Sequence, residues 1–222
     1  MAAVRLRKRL PGFPLLLTNR SVTITAQNGV YFAEPRPGKR RFGVHILKAM
    51  QPEQISFLLQ NLLGGLKNEQ PVTKRVIDAI PVDKGDYRPD EVSKTALELS
   101  WHIVSTERMF LDSIAAGAFD FTPFPMPAEI RNSADLSAWY SKMFEEKVAK
   151  VAGLSPEELG KVLDFRGFFQ MPAVMFLQIT AAHTIHHRGQ LSMYLRPMGA
   201  KVPAIYGESY DTAQARKAAS QA

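Results

Sequence analysis

Residues 172–196 read PAVMFLQITAAHTIHHRGQLSMYLR. Proline opens the stretch, nothing inside it breaks a helix, and Pro197 and Gly199 stop it. One long helix is the expectation. Steps of three and four residues join Phe176, Ile179 or Thr180, His183, His187, Gln190 or Leu191, and Tyr194 into one mostly apolar stripe. The histidine pair therefore faces the interior in this reading.

The same period recurs upstream. From Pro52, Ile55, Leu58, Leu59, Leu62, Leu63 and Leu66 mark a first helix. Val72, Val76, Ile77 and Ile80 continue it, with Pro71 expected to kink or restart it. A second helix is predicted from about Asp90 to Ala116, and a third from about Ala134 to Val151. Ser155-Pro156-Glu157-Glu158 is a capping box opening a short helix. The aromatic stretch 164–170 reads as an irregular segment. Four long helices joined by substantial loops predict an all-α fold, a four-helix bundle spanning residues 49–210, with a C-terminal tail at 211–222.

The chain has 222 residues, 45% of them apolar, enough for one domain with a full core. It contains no cysteine, which excludes disulfides, thiolate metal sites and a cysteine nucleophile. No run of 18 apolar residues exists, so no membrane span is expected. The net charge of +7 is uneven. Residues 1–48 carry ten basic groups and one acid, and the other 174 carry eighteen basic and twenty acidic. The globular part thus offers no case for nucleic acid. The basic extension has three readings: a disordered tail, a targeting leader, or an upstream stretch translated in error before a start near Met50. The first and third are favoured on composition. A nucleic-acid arm would show salt-dependent binding lost with residues 1–48. Cytoplasmic location is the default expectation.

Chemistry concentrates in the five histidines: His45, His102, His183, His186 and His187. His183 and His187 are four apart, one turn above each other on one helix face, a spacing from which two imidazoles reach one metal. His102 lies on the apolar side of the second helix, beside Leu99, Thr106 and Met109, and supplies a third ligand. Three protein ligands leave a position for water or substrate. Taken singly, each histidine has a plain structural reading as a hydrogen-bonded core residue. His186 is rotated by about 100° from His187 and belongs to the surface or to a supporting role. Glu98, four residues before His102, is a candidate to orient it. Arg188, Gln190 and Tyr194 are candidates for polar contacts to a ligand, each with an equally ordinary structural reading. Thr184 follows His183, so the zinc-protease motif with its built-in base is absent.

His183-Thr-Ile-His-His187-Arg-Gly-Gln-Leu191, Tyr194-Leu-Arg and Gly199…Val202-Pro203-Ala-Ile-Tyr206-Gly207 resemble the C-terminal signature of the DinB/YfiT superfamily. Ala79-Ile80-Pro81, Tyr87-Arg88-Pro89 and Glu98-Leu-Ser-Trp-His102 also resemble it, so the likeness covers about residues 52–210. The resemblance implies a DinB-type bundle of up-down-down-up topology, commonly a homodimer, with a divalent zinc, nickel or iron ion on His102, His183 and His187. It also implies a small-molecule substrate. Characterised members include transferases and isomerases that use a low-molecular-weight thiol, and others are described as metal-dependent hydrolases. Three functions follow as expectations: a thiol-dependent S-transferase, a hydrolase using metal-activated water, or a non-catalytic metal-binding stress-response protein.

Overall fold

The computed structural model describes residues 50–221, so the readings of residues 1–48, His45 included, lie outside the described residues. The architecture is mostly helical. Four long helices, α1 (Pro52–Asp78), α2 (Ala96–Ala116), α3 (Ser133–Ala152) and α5 (Phe176–Leu195), are joined by the short α4 (Pro156–Gly160) and a two-stranded hairpin, and α6 (Tyr210–Ala219) follows. α1 packs on α3 and α5, and α2 packs on the same two helices. Side-chain partners give the directions. Glu107 meets Tyr140 and Asp112 meets Lys147, so α2 and α3 run alike. His102 meets His187 while Phe110 meets Phe176, so α5 runs against α2.

Local chemistry sets the ends. α2 starts at Ala96, not near Asp90 as expected from the sequence. Asp90 instead accepts hydrogen bonds from Val92 and Ser93 in a turn, while Thr95 caps the helix in a reciprocal box with Glu98. α2 ends at Gly117, whose φ of 69° is the left-handed conformation that releases the last carbonyls to the loop. α1 runs unbroken through Pro71. Pro71 and Lys67, whose carbonyl loses its partner, are both exposed, so water serves the lost bond. Residues 164–170 are not irregular: Val162–Phe165 pairs antiparallel with Phe169–Pro172. The alternate aromatic rings Phe165 and Phe169 stack on each other and pack against Phe110 and Phe176, which gives the hairpin its apolar anchorage. The C-terminal tail is not featureless, because Ser209 caps α6 through Thr212.

The core is apolar, with Leu66, Ile77, Ile103, Leu111, Leu136, Phe176 and Leu195 fully buried. A polar seam runs through it. Arg188 is 1% exposed and bonds Glu69 Oε2 at 2.6 Å, Thr73 Oγ1 at 3.2 Å and the Tyr206 hydroxyl at 2.6 Å. Tyr206 closes the set by donating to Glu69 at 2.9 Å. Beside it, the buried Glu107 accepts hydrogen bonds from Tyr140 at 3.0 Å and Thr184 at 2.8 Å. Removing one partner from such a seam leaves a buried charge or dipole unpaired.

Burial pushes the Glu107 carboxyl up to about 7, against the opposing pull of Thr184, Tyr140 and Arg188. The folded protein therefore holds this proton to a higher pH than the unfolded chain, and ionising the group disfavours folding. Relative to Glu107→Gln, the native protein should lose stability as pH rises from about 4.5 to 7, with little further change above that. Urea unfolding of both proteins across that range measures the difference. A constant gap between them would show that Glu107 titrates normally.

Candidate metal centre

α2 and α5 pack directly against each other and bring three imidazoles to one point. His102 Nε2 lies 3.1 Å from His187 Nε2 and 3.2 Å from His183 Nε2. The rings meet edge to face. Each ring is half-buried, so the cluster sits at the margin of the core, at the edge of the α2–α5 contact. The sequence reading put His183 and His187 on the inward stripe. The fully buried face of α5 is instead Phe176, Leu177, Thr180, Thr184, Arg188, Leu191 and Leu195. The two histidines each precede a buried polar residue by one position, about 100° around the helix.

Hydrogen bonding alone does not satisfy this triangle. A ring nitrogen carries either a proton or one lone pair, so His102 Nε2 cannot serve two neighbouring nitrogens at once. A cation accepts all three lone pairs together. Metal–nitrogen bonds of about 2.0–2.1 Å set adjacent donors about 2.9 Å apart at a right angle and about 3.3 Å apart in a tetrahedron. The separations of 3.1 and 3.2 Å fall between these limits. The donor set fits a divalent transition ion that accepts imidazole.

The outer nitrogens support the same arrangement. His187 Nδ1 donates to Gln190 Oε1 at 2.6 Å, which leaves the Nε2 lone pair turned to the centre. Thr106 Oγ1 is 3.5 Å from His102 Nδ1, the outer limit of a hydrogen bond. His183 Nδ1 is the one buried side-chain nitrogen or oxygen without a hydrogen-bond partner among the described residues. Burial, reinforced by His187, His102 and His186, holds His183 down to about 4. Burial and then His187 also lower His102. Both rings are therefore neutral near pH 7, the form that ligates metals.

The other residues singled out in the sequence are dispersed. His186 is exposed and its ring stacks edge-on to His187. Glu98 does not orient His102: its carboxylate accepts the backbone N–H of Thr95 at 2.8 Å, a cap that, ahead of the nearby cations, also holds its pKa below the ordinary value. Arg188 is committed to Glu69 inside the core rather than offered to a ligand. Tyr194 packs edge-on against Tyr87. The sequence reading missed Glu107, although a signal was present. It continues the Leu99–Ile103 stripe by four residues, so an acid falls on a buried face.

A family model described as the DinB family matches residues 55–219. The chain belongs to the DinB family. It is 32% identical over 130 residues to the uncharacterized protein YjoA of Bacillus subtilis (strain 168), covering 58% of this chain and 82% of that protein. It is 25% identical over 153 residues to the uncharacterized protein YrdA of the same organism, covering 67% and 88%. The crystal structure of the DinB-like protein YjoA superposes with a TM-score of 0.56 at 26% identity, over 67% of this chain and 99% of that one. A DinB-like protein from Bacillus cereus ATCC 10987 superposes with a TM-score of 0.56 at 23% identity, over 66% and 97%, and supports the fold. Among the described residues, the His102–His183–His187 cluster is the one grouping compatible with a metal ion.

Alanine at His102, His183 or His187 should each abolish stoichiometric metal, while His186→Ala should retain it. Gln190→Ala should weaken binding by about 10- to 100-fold, because the His187 ring loses its anchor. Elemental analysis and competition with a chelator measure both effects. Equal loss in all five variants would defeat the ligand assignment.

Proposed function

We propose that this DinB-family protein is a metal-dependent enzyme that transfers a small-molecule thiol to an electrophile. We read its four long helices as the up-down-down-up four-helix bundle of the DinB/YfiT type. His102, His183 and His187 hold the ion, which can be zinc, nickel or iron on ligand chemistry. The observation that carries the reading is the convergence of three Nε2 atoms in a chain that has no sulfur nucleophile of its own. A divalent ion so held would supply Lewis acidity, which lowers the pKa of a thiol. The chain's part is to present three ring-nitrogen lone pairs, to fix the His187 tautomer through Gln190, and to leave the outer side of the cluster accessible. In the reaction the thiol gives its proton to solvent, a sulfur–carbon bond forms, and the leaving group departs with its electron pair.

Neither Glu98 nor Glu107 is placed as a general base at the histidine cluster. Hydrolysis assisted by a general base would need one within reach of the nucleophile. Glu98 is spent on the α2 cap, and both Glu107 oxygens are held by Tyr140 and Thr184. Hydrolysis by metal-activated water and metal binding without turnover are therefore the competing outcomes of one experiment. Metal-loaded protein is incubated with chlorodinitrobenzene plus simple thiols, and separately with nitrophenyl esters without thiol. Thiol-dependent conjugate formation, lost in His102→Ala, is expected. Thiol-independent ester cleavage would establish hydrolysis, and no product in either arm would leave a binding protein.

A further inference from the structure

α2 continues beyond His102 along a half-open cavity of about 410 Å³. Thr106, one turn past His102 and in contact with its ring, lines the near end, and Ala116 the far end. The other walls are residues 118–124 and the tip of the 162–172 hairpin. At 1.5 Å per residue Arg108 stands about 9 Å along the helix axis from His102.

Two guanidinium groups are held at this cavity by aromatic rings. Arg108 lies 3.8 Å above the Phe124 ring and Arg166 lies 4.1 Å above Phe121. Such stacking sets the plane of the fork and leaves its N–H groups for an oxyanion. The two arginines of the lining stand with two carboxylates, Asp112 and Asp120, both already engaged. Asp112 is shared between Arg108 at 3.3 Å and Lys147 at 3.0 Å. Asp120 accepts the backbone N–H of Thr122 at 2.8 Å. Arg166 has no carboxylate partner among the described residues. Of the two guanidinium groups that line the cavity, Arg108 thus shares its carboxylate with Lys147 and Arg166 pairs with none among the described residues.

The backbone at Arg166 adds an independent observation. Arg166 has φ 53° and Gly167 φ 71°, positive at both central positions of the hairpin turn. Such turns favour asparagine, aspartate or glycine, and an L-residue with a long side chain is costly there. The turn does not ask for arginine, and its guanidinium has no structural ion pair to maintain. Arg166 is exposed at the rim of the cavity, so its guanidinium is placed to meet the anion of a ligand there.

We propose that this cavity seats the carboxylate of an anionic small molecule, with Arg166 and Arg108 as its anchors and the opposite end of the molecule at the histidine cluster. The inference rests on the metal-centre reading for its orientation. It assigns the substrate class: a thiol or electrophile carrying a carboxylate about two helical turns from its reacting atom, with an apolar body against Met109 and Phe121.

The test uses the full chain loaded with cobalt(II), titrated with 6-mercaptohexanoate and with 6-mercaptohexan-1-ol, following the thiolate-to-cobalt absorption band. The acid should bind about tenfold more tightly than the alcohol, as charge-assisted hydrogen bonds imply, and the preference should shrink as salt rises. Arg166→Gly and Arg108→Gln should each remove most of the preference while leaving the alcohol's affinity unchanged. Arg166→Gly should also melt at or above the native temperature, since glycine relieves the positive φ. A second arm needs no metal. Trp101 packs on Phe124 beneath Arg108, so tryptophan fluorescence reports hexanoate against hexan-1-ol in metal-free protein. Loss of cobalt binding with a retained, Arg166-dependent hexanoate preference would sink the metal centre and keep the cavity. Equal affinity for acid and alcohol, or a preference that survives in the Arg108→Gln/Arg166→Gly double variant, would overturn the proposal.

Discussion

A guanidinium cut off from water must find its anion inside the protein, and Arg188 decides much of the rest. Its three partners come from two places: Glu69 and Thr73 on α1, and Tyr206 in the segment after α5. Satisfying them fixes the rotation of α5 about its own axis, with Thr184 and Arg188 turned inward. Each of the two α5 histidines precedes one of these residues, so that same rotation carries both rings to the edge facing α2. The gathering of the three histidines is therefore a by-product of how a buried charge is paired. A rotation of α5 by one residue's worth would break the ion pair and disperse the imidazoles together.

Two kinds of carboxylate chemistry sit a few residues apart on α2. Glu98, at the exposed helix start, is stabilised as an anion by the Thr95 backbone, its largest influence. Glu107, in the core, is driven toward its neutral form by loss of water. Neither is presented to the histidine cluster. Such a division leaves the cluster as an all-imidazole donor set, which keeps the full positive charge of a bound divalent ion. An anion would be the natural complement of such a charge, and Arg108, farther along α2, carries the same sign.

Much of the architecture was legible because it follows from periodicity. The leucines of 55–66 and the run from Phe176 to Leu195 mark helices whatever surrounds them. The gathering of His102 with His183 and His187 was also readable, since two of the residues are one turn apart and the third is on an apolar face. The limits have physical causes. Asp90 and Thr95 are both cap formers, and only the reciprocal bond to Glu98 shows which one begins α2. The hairpin was hidden because its strands have four residues each and its turn carries Arg-Gly in place of the usual Asn-Gly. The inward face of α5 was misjudged because threonine and arginine count as surface residues by composition, and here two of them form the deepest polar contacts.

Tyr206 gives the C-terminal segment an importance that its exposure hides. The residue is 68% exposed, yet its hydroxyl completes the coordination of a charge buried beneath it. The segment works as a stopper. Shortening the chain ahead of residue 206 would open a water path to the Arg188–Glu69 pair, whereas extending it beyond α6 adds length where nothing polar is sealed. The far end of this protein is thus structurally part of its middle, and tolerance to fusion or trimming changes sharply across a dozen residues.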